Sequence, residues 1–140
     1  METTLAIIKP DAIEAGNAGR ILAHLEAEGF RILALYRNRL DQAQAAAFYE
    51  VHRERPFYGS LVTFMTSGPV MPVALSREDA VAHLRRVMGA TDVARAEPGT
   101  VRALYGTSIE RNAIHGSDSP ENAARELAFF FSRAALLAAG

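Results

Sequence analysis

The sequence predicts an α/β chain of the α+β kind: an antiparallel sheet, a helix pair inserted after the second strand, and a long loop before the last strand. Short apolar or alternating runs at Thr3–Ile8, Phe30–Leu40, Val70–Leu75 and Ala113–His115 read as strands. Segments with helical spacing and recognisable start signals separate them. The resulting order is β-α-β, two helices, β-α, long loop, β-α. With the inserted helix pair set aside it becomes the ferredoxin-like split βαββαβ unit. Helices in such a unit cover one sheet face, so the other face needs a cover, and partner subunits are the expected one.

Each element has a local reason. Thr3–Ile8 is β-branched and apolar on both faces, as a buried strand requires, and it ends at Lys9-Pro10-Asp11. Asn17 is placed to cap a helix running to about Glu28, with Ile21, Leu22 and Leu25 on one face and Gly29 as its stop. Phe30–Leu40 alternates, setting Ile32, Ala34 and Tyr36 opposite Leu33, Leu35 and Arg37. Asp41 then caps an alanine-rich helix from Gln42 to about His52, Arg55-Pro56 breaks it, and Tyr58–Met65 forms a second short helix. Ser67-Gly68-Pro69 turns the chain into Val70–Leu75. Ser76 and Asp79 resemble a capping box for a helix through Val87. Regularity fades from Met88 to about Arg111, where Gly89, Pro98 and Gly99 punctuate a long connection of the kind that usually carries function. After Ala113–His115, Ser119-Pro120 supplies an N-cap and an N1 proline for a helix over Glu121–Phe131.

At 140 residues and 49% hydrophobic content the chain is expected to form one domain, 1–140, around a single core. No apolar stretch approaches the roughly 20 residues of a membrane span. Without a basic leader the expected location is cytoplasmic. Cysteine is absent, which removes disulfides, thiol nucleophiles and thiolate metal sites together. A net charge of −1 argues against nucleic acid or a membrane surface as the primary partner. Within the basic set, fourteen residues are Arg and only Lys9 is Lys, at the end of the first strand.

Of the four histidines, His24 and His83 sit within amphipathic helices and His52 at a helix end, where packing or the helix dipole explains them. His115 differs. It stands in Asn112-Ala-Ile-His-Gly-Ser-Asp-Ser119, where small neighbours keep a ring accessible to a bulky reactant. No Gly-x4-Gly-Lys-Ser/Thr and no His-Glu-x-x-His occurs, so a P-loop and a zinc-protease helix are excluded. Lys9, Arg85, Arg86, Thr91, Arg102 and Asn112 are together an inventory for holding a polyphosphate without a P-loop. Phosphoryl transfer asks little more of a protein than charge neutralisation, alignment and a nucleophile, and a neutral imidazole can be that nucleophile.

These residues resemble the nucleoside diphosphate kinase family. The resemblance runs through the chain, at Ile8-Lys9-Pro10-Asp11, Arg55-Pro56-Phe57, Thr66–Val70, Met88-Gly89-Ala-Thr91, Pro98-Gly99-Thr100, Asn112–Ser119 and Glu126, in family order and spacing. It implies a ping-pong kinase in which His115 takes the γ-phosphoryl of a nucleoside triphosphate and passes it to a nucleoside diphosphate. One nucleotide site serves both halves, with Mg²⁺ held mainly by the phosphates. By position Lys9, Arg85, Thr91, Arg102 and Asn112 contact phosphates or ribose, and Tyr49 lies close to the nucleophile. Glu126 bonds the ring nitrogen that does not attack. Phe57 stacks on the base, with Leu61 and Ile109 completing an apolar slot, and stacking alone discriminates poorly among bases. The short tail after Phe131 fits a homo-oligomer of tetrameric type, with a hexamer as the second option.

Three positions depart from the family pattern: Asp92-Val93 for Asn-Pro, Ser76-Arg77 for Glu-Gly, and Leu104 where an acidic residue is usual. They bear on loop conformation and subunit contacts. Rival readings are a nucleotide-binding regulatory module, which gives His115 and Glu126 no purpose, and a phosphohistidine carrier, which has no need of Phe57. A scaffold or DNA-binding role lacks a basic patch.

Overall fold

In the computed structural model, which describes residues 1–140, strand β1 (Glu2–Ile8) lies at the centre of a sheet and determines what its neighbours can be. It pairs antiparallel with β3 (Met71–Arg77) on one side and with β4 (Ile114–Gly116) on the other, and β2 (Arg31–Leu35) pairs with the far side of β3. The order β2-β3-β1-β4 is that of the split βαββαβ unit, as expected. Because β1 is covered on both faces, its residues from Leu5 to Ile8 are fully buried, which explains its unbroken apolar run.

Side chains of β1 alternate between two cores. Ala6 and Ile8 point to one, with Ile21 and Leu25 of α2 (Ala18–Ala27), Leu84 and Met88 of α5 (Ala80–Met88) and Val101 of α6 (Val101–Tyr105). Leu5 and Ile7 point to the other, with Phe48 of α3 (Gln42–Phe48), Val62 and Met65 of α4 (Tyr58–Met65) and Leu127 of α7 (Pro120–Phe130). The second face is therefore covered by the chain's own helices, where the sequence leaves partner subunits as one plausible cover.

Several boundaries also move. The helix expected from Gln42 to His52 closes at Phe48 and continues as a 3₁₀ turn, Glu50–His52. Asp41 caps it with a complete capping box, accepting from the Gln44 N–H while the Gln44 side chain accepts from the Asp41 N–H. Asn17 precedes α2 as expected, but its backbone is not extended and its side chain accepts from Arg20 instead of capping. Ser76 stays within β3, paired to Thr3 and Arg31, and Asp79 takes a left-handed conformation (φ 54°), so no capping box starts α5. The second strand ends at Leu35, with a single further bridge from Asn38 to Val70. The long loop from 89 to 113 is partly helical: a 3₁₀ turn at Val93–Arg95 and then α6, which Thr100 caps. Two helices were not foreseen, α1 (Pro10–Glu14), which begins on Pro10 at N1, and α8 (Arg133–Ala139), capped by Ser132.

Candidate active site

One cavity of about 400 Å³ opens at the end of the sheet where β1 stops. All eleven side chains that the family resemblance assigns to a site line it: Lys9, Tyr49, Phe57, Leu61, Arg85, Thr91, Arg102, Ile109, Asn112, His115 and Glu126; Arg86, the other member of the cation inventory, does not, and pairs with Asp79 instead. They come from stretches spread along the chain from the end of β1 to α7.

His115 reaches this cavity because of strand register. It pairs with Ile7, so it points to the same face as Ile7 and toward α7. Its neighbours on β4 point the other way. Gly116 has no room for a side chain, since a Cβ there would stand 2.7 Å from the Met88 sulfur and 3.0 Å from Leu84. Packing of α5 against β4 therefore requires the glycine that follows the histidine. On the cavity side, Nε2 of His115 lies 2.8 Å from Oε1 of Glu126, one of the buried residues of α7. Ser119 sets where α7 begins by accepting from the Asn122 N–H, and Glu126 follows two turns later.

Glu126 is a carboxylate by design of its surroundings. Burial pushes its carboxyl up, but the His115 and Ser117 hydrogen bonds and the charges of His115 and Arg125 outweigh that, and its pKa lies below the usual value. Ser117 Oγ donates to Oε1 at 2.8 Å and an Arg125 guanidinium nitrogen donates to Oε2 at 3.4 Å. An ionised carboxylate accepts only, so Nε2 of His115 carries the proton. Nδ1 is left with its lone pair, on a ring that remains 21% exposed. Phe48 and Tyr49 pack edge-on to the ring, at 5.5 and 6.0 Å between centroids, and hold its plane. Burial, with Glu126 adding to it, pushes the Tyr49 phenol well up, so it stays protonated.

Three cations, Lys9, Arg85 and Arg102, line the same cavity as the imidazole. Lys9 Nζ donates to the Glu110 carbonyl at 2.7 Å and to Asn112 Oδ1 at 2.8 Å. Burial lowers its pKa to about 8, Asp11 opposing this and Arg102 adding to it. Arg102 donates to the carbonyls of Gly89 (3.0 Å) and Ile114 (2.8 Å), and its buried Nε has no partner in the chain. Burial, and then Arg85 close by, bring its pKa down to about 10. Asn112 ties the group together through Nδ2, which donates to the carbonyls of Thr91 (3.2 Å) and Ile109 (3.1 Å). Crowding Lys9, Arg85 and Arg102 around one cavity is costly unless an anion shares it.

Away from the cations the walls turn apolar. Phe57, 48% exposed, precedes α4, Leu61 follows one turn on, and Ile109, 63% exposed, stands on the loop before β4. Exposed large side chains lining a concave slot are placed to meet a flat apolar ligand. The Ser60 hydroxyl of α4 donates to the Glu110 carboxylate and so bridges helix and loop.

Val51, His52, Glu110, Asp118 and Asn122 also line the cavity and were not singled out. His52 was explained by a helix end, yet the 3₁₀ turn brings its ring to 5.7 Å from Phe57. Its neighbour Arg55-Pro56-Phe57 was the available signal, since a ring preceding that break by one turn must share its side of the chain.

Comparison with known proteins gives the same picture at the level of the whole chain. The family described as "Nucleoside diphosphate kinase" matches residues 2–136. A curated nucleoside diphosphate kinase of Desulfovibrio desulfuricans is 58% identical over 132 residues, 94% of this chain and 95% of that protein. One from Nitratiruptor is 53% identical over 137 residues, 98% and 100% of the two chains. Among solved structures, the Aquifex aeolicus nucleoside diphosphate kinase superposes with a TM-score of 0.93 at 48% identity, covering 95% of this chain and 96% of that one. A halophilic nucleoside diphosphate kinase from Halobacterium salinarum, in complex with CDP, superposes with a TM-score of 0.90 at 38% identity, covering 95% and 89%.

Proposed function

The chain belongs to the nucleoside diphosphate kinase family, whose reaction moves a phosphoryl group from a nucleoside triphosphate to a nucleoside diphosphate, and we propose that His115 is the residue that carries it. The observation that supports this most is the His115–Glu126 pair at 2.8 Å, which leaves Nδ1 as a lone pair directed at a cavity lined by three cations. In the first half-reaction Nδ1 bonds to the γ-phosphorus. The bond from that phosphorus to the β–γ bridging oxygen breaks, and its electron pair leaves with the nucleoside diphosphate. The ring becomes a phosphorylated imidazolium whose Nε2–H still donates to the Glu126 carboxylate, so its charge is balanced where it forms. In the second half a terminal oxygen of another nucleoside diphosphate attacks the same phosphorus and Nδ1 leaves.

Lys9, Arg85 and Arg102 neutralise the phosphates, and Thr91 and Asn112 orient them or the ribose. Phe57 stacks on the base while Leu61 and Ile109 close the slot. Tyr49 keeps the imidazole in place. The relative from Halobacterium salinarum was solved in complex with CDP, which supports a slot that admits a pyrimidine, and stacking, which every base can make, favours broad base specificity.

The family's reaction uses a divalent cation, which we take as Mg²⁺. No group of three histidine or carboxylate side chains is arranged as a metal cage, so the donor set favours a cation held mainly by the nucleotide phosphates. When bound there it would neutralise charge between the phosphoryl group and its leaving oxygen. We further read 1–140 as one catalytic domain that works in the cytoplasm as a homo-oligomer, a tetramer ahead of a hexamer. No helix is long and apolar enough to cross a membrane.

Intact mass after ATP and Mg²⁺ tests the central step. One added phosphoryl is expected on the wild type and none on His115→Ala, and GDP should discharge it. ATP binding without an adduct would leave a nucleotide sensor, and an adduct that GDP does not discharge would leave a phosphohistidine carrier.

A further inference from the structure

Ala113 is a residue without the freedom of glycine in a backbone conformation that favours glycine, with φ at +74°. The Ile114 N–H closes back onto the Asn112 carbonyl at 2.9 Å, forming a γ-turn of the sterically disfavoured hand immediately before β4. Both backbone polar groups of Ala113 are taken by the corner where β1 ends. Its carbonyl accepts from the Lys9 N–H at 2.9 Å, and its N–H donates to Oδ2 of Asp11 at 3.0 Å. On one side of this turn is Asn112, bonded to Lys9 Nζ, and two residues beyond it is His115.

We propose that Asp11 is a positioning residue for phosphoryl transfer, holding Ala113 in its left-handed turn so that Asn112 and His115 face the same cavity. This rests on His115 being the phosphoryl acceptor. Asp11 does not line the cavity of the candidate site; it borders a separate one with Glu14, Arg37, Arg39 and Arg111. It therefore acts through the backbone. Its other oxygen, Oδ1, is buried without a partner, and burial pushes its carboxyl up. A carboxylate retained in so poor a setting needs a return, and the Ala113 N–H is the one long-range bond it makes. Relaxing Ala113 to negative φ would reverse the local turn and swing Asn112 away from Lys9, or His115 off the line of the cavity.

Single-turnover charging by ATP and Mg²⁺, followed by intact mass, separates the possibilities. If wild type does not charge, the phosphohistidine reading itself fails and this proposal with it. With a wild type that charges, Asp11→Ala should slow charging about 10²-fold, the cost of a misplaced reacting group. Asp11→Asn, which keeps a carbonyl oxygen to accept from the Ala113 N–H, should charge at close to the wild-type rate. Adding Ala113→Gly to Asp11→Ala should restore most of the rate, because glycine holds positive φ without help. An Asp11→Asn variant as slow as Asp11→Ala, or a double variant no faster than it, would assign the effect to the charge of Asp11 on Lys9 and overturn the proposal. So would an Asp11→Ala variant that charges normally. Were Asp11→Ala not to fold, the double variant is still expected to fold and charge, and its failure to do either overturns the idea.

Discussion

Lys9 shows at the scale of one residue why a chain with fourteen arginines keeps one lysine. An ammonium has three donors on a single atom, and two of them are spent on the Glu110 carbonyl and Asn112 Oδ1. The third is free for a phosphate oxygen, and a compact head fits where a planar guanidinium would displace Asn112. The cost is a proton easily lost. Burial lowers the pKa from 10.5 to about 8, so the folded protein binds this proton less tightly than the unfolded chain. The penalty of the buried charge is thus fully present below about pH 8 and is relieved as pH rises from there toward 10.5. In the function proposed for the site the dependence runs the opposite way, because a phosphate there needs the cation. We expect kcat/KM to fall as pH rises through about 8, with the corresponding limb of kcat displaced upward because bound phosphate stabilises the charge. Lys9→Arg should abolish that limb at a lower overall rate. A kcat/KM profile in the wild type that stays flat well above that pH would remove Lys9 from phosphate binding.

At the scale of elements, the loop from 89 to 113 shows how a short helix can carry a cation into the cavity. Gly89 ends α5 at φ +86°, and a Cβ there would come within 2.5 Å of the Thr100 hydroxyl oxygen. That hydroxyl caps α6, and the Gly89 carbonyl accepts from Arg102 on the same helix. Gly89→Ala should therefore push α6 aside, with Arg102 on it, and cost roughly 3 kcal/mol of stability. Gly99→Ala is the control: φ is +87° but nothing stands within 4 Å, so it should cost only about 1–2 kcal/mol and leave turnover nearly intact. Urea denaturation and steady-state rates of the two variants check both statements, and equal losses in both would mean that the contact with Thr100 is inconsequential. Such a helix is hard to read from sequence. Five residues are too few to show a period, which is also why the sequence marks Lys9-Pro10-Asp11 only as the end of a strand and not as the start of α1. The longer elements were legible because burial writes a pattern: β1 is apolar throughout, and α4 was placed at Tyr58–Met65 by the break before it and the turn after it. Caps were legible only where the backbone cooperates. Asp41 and Ser119 are extended and cap; Asn17 and Asp79 are not and do not, although all four are capping residue types. The membership of the site was legible from the His115 segment and its family resemblance, but His52 and Glu110 were not, since their side chains enter through a 3₁₀ turn and a loop that no periodicity marks.

The whole molecule poses a different question, because its sheet is finished on its faces and unfinished at its edge. Both faces are buried by the chain's own helices, so apolar coverage of the sheet does not by itself call for a second subunit. Two strands are bonded on one side only, β4 to β1 and β2 to β3, and it is β2 that ends in exposed apolar side chains, Leu35 and Tyr36. An open edge with apolar side chains is a template for pairing with another strand, and one that persists in a native protein is usually covered. This supports self-association along β2 as one contact of the proposed homo-oligomer, with the cavity at the end of β1 lying elsewhere. Light scattering on the wild type is expected to report an oligomer. Leu35→Lys places a charge at the strand end, where desolvating it on pairing is expensive, and should shift the population to a smaller species. His115 belongs to β4, at the opposite edge of the sheet from β2, so the variant should still accept a phosphoryl from ATP. An oligomer unchanged by the lysine would move the interface to another surface, and a monomeric wild type would remove the need for one.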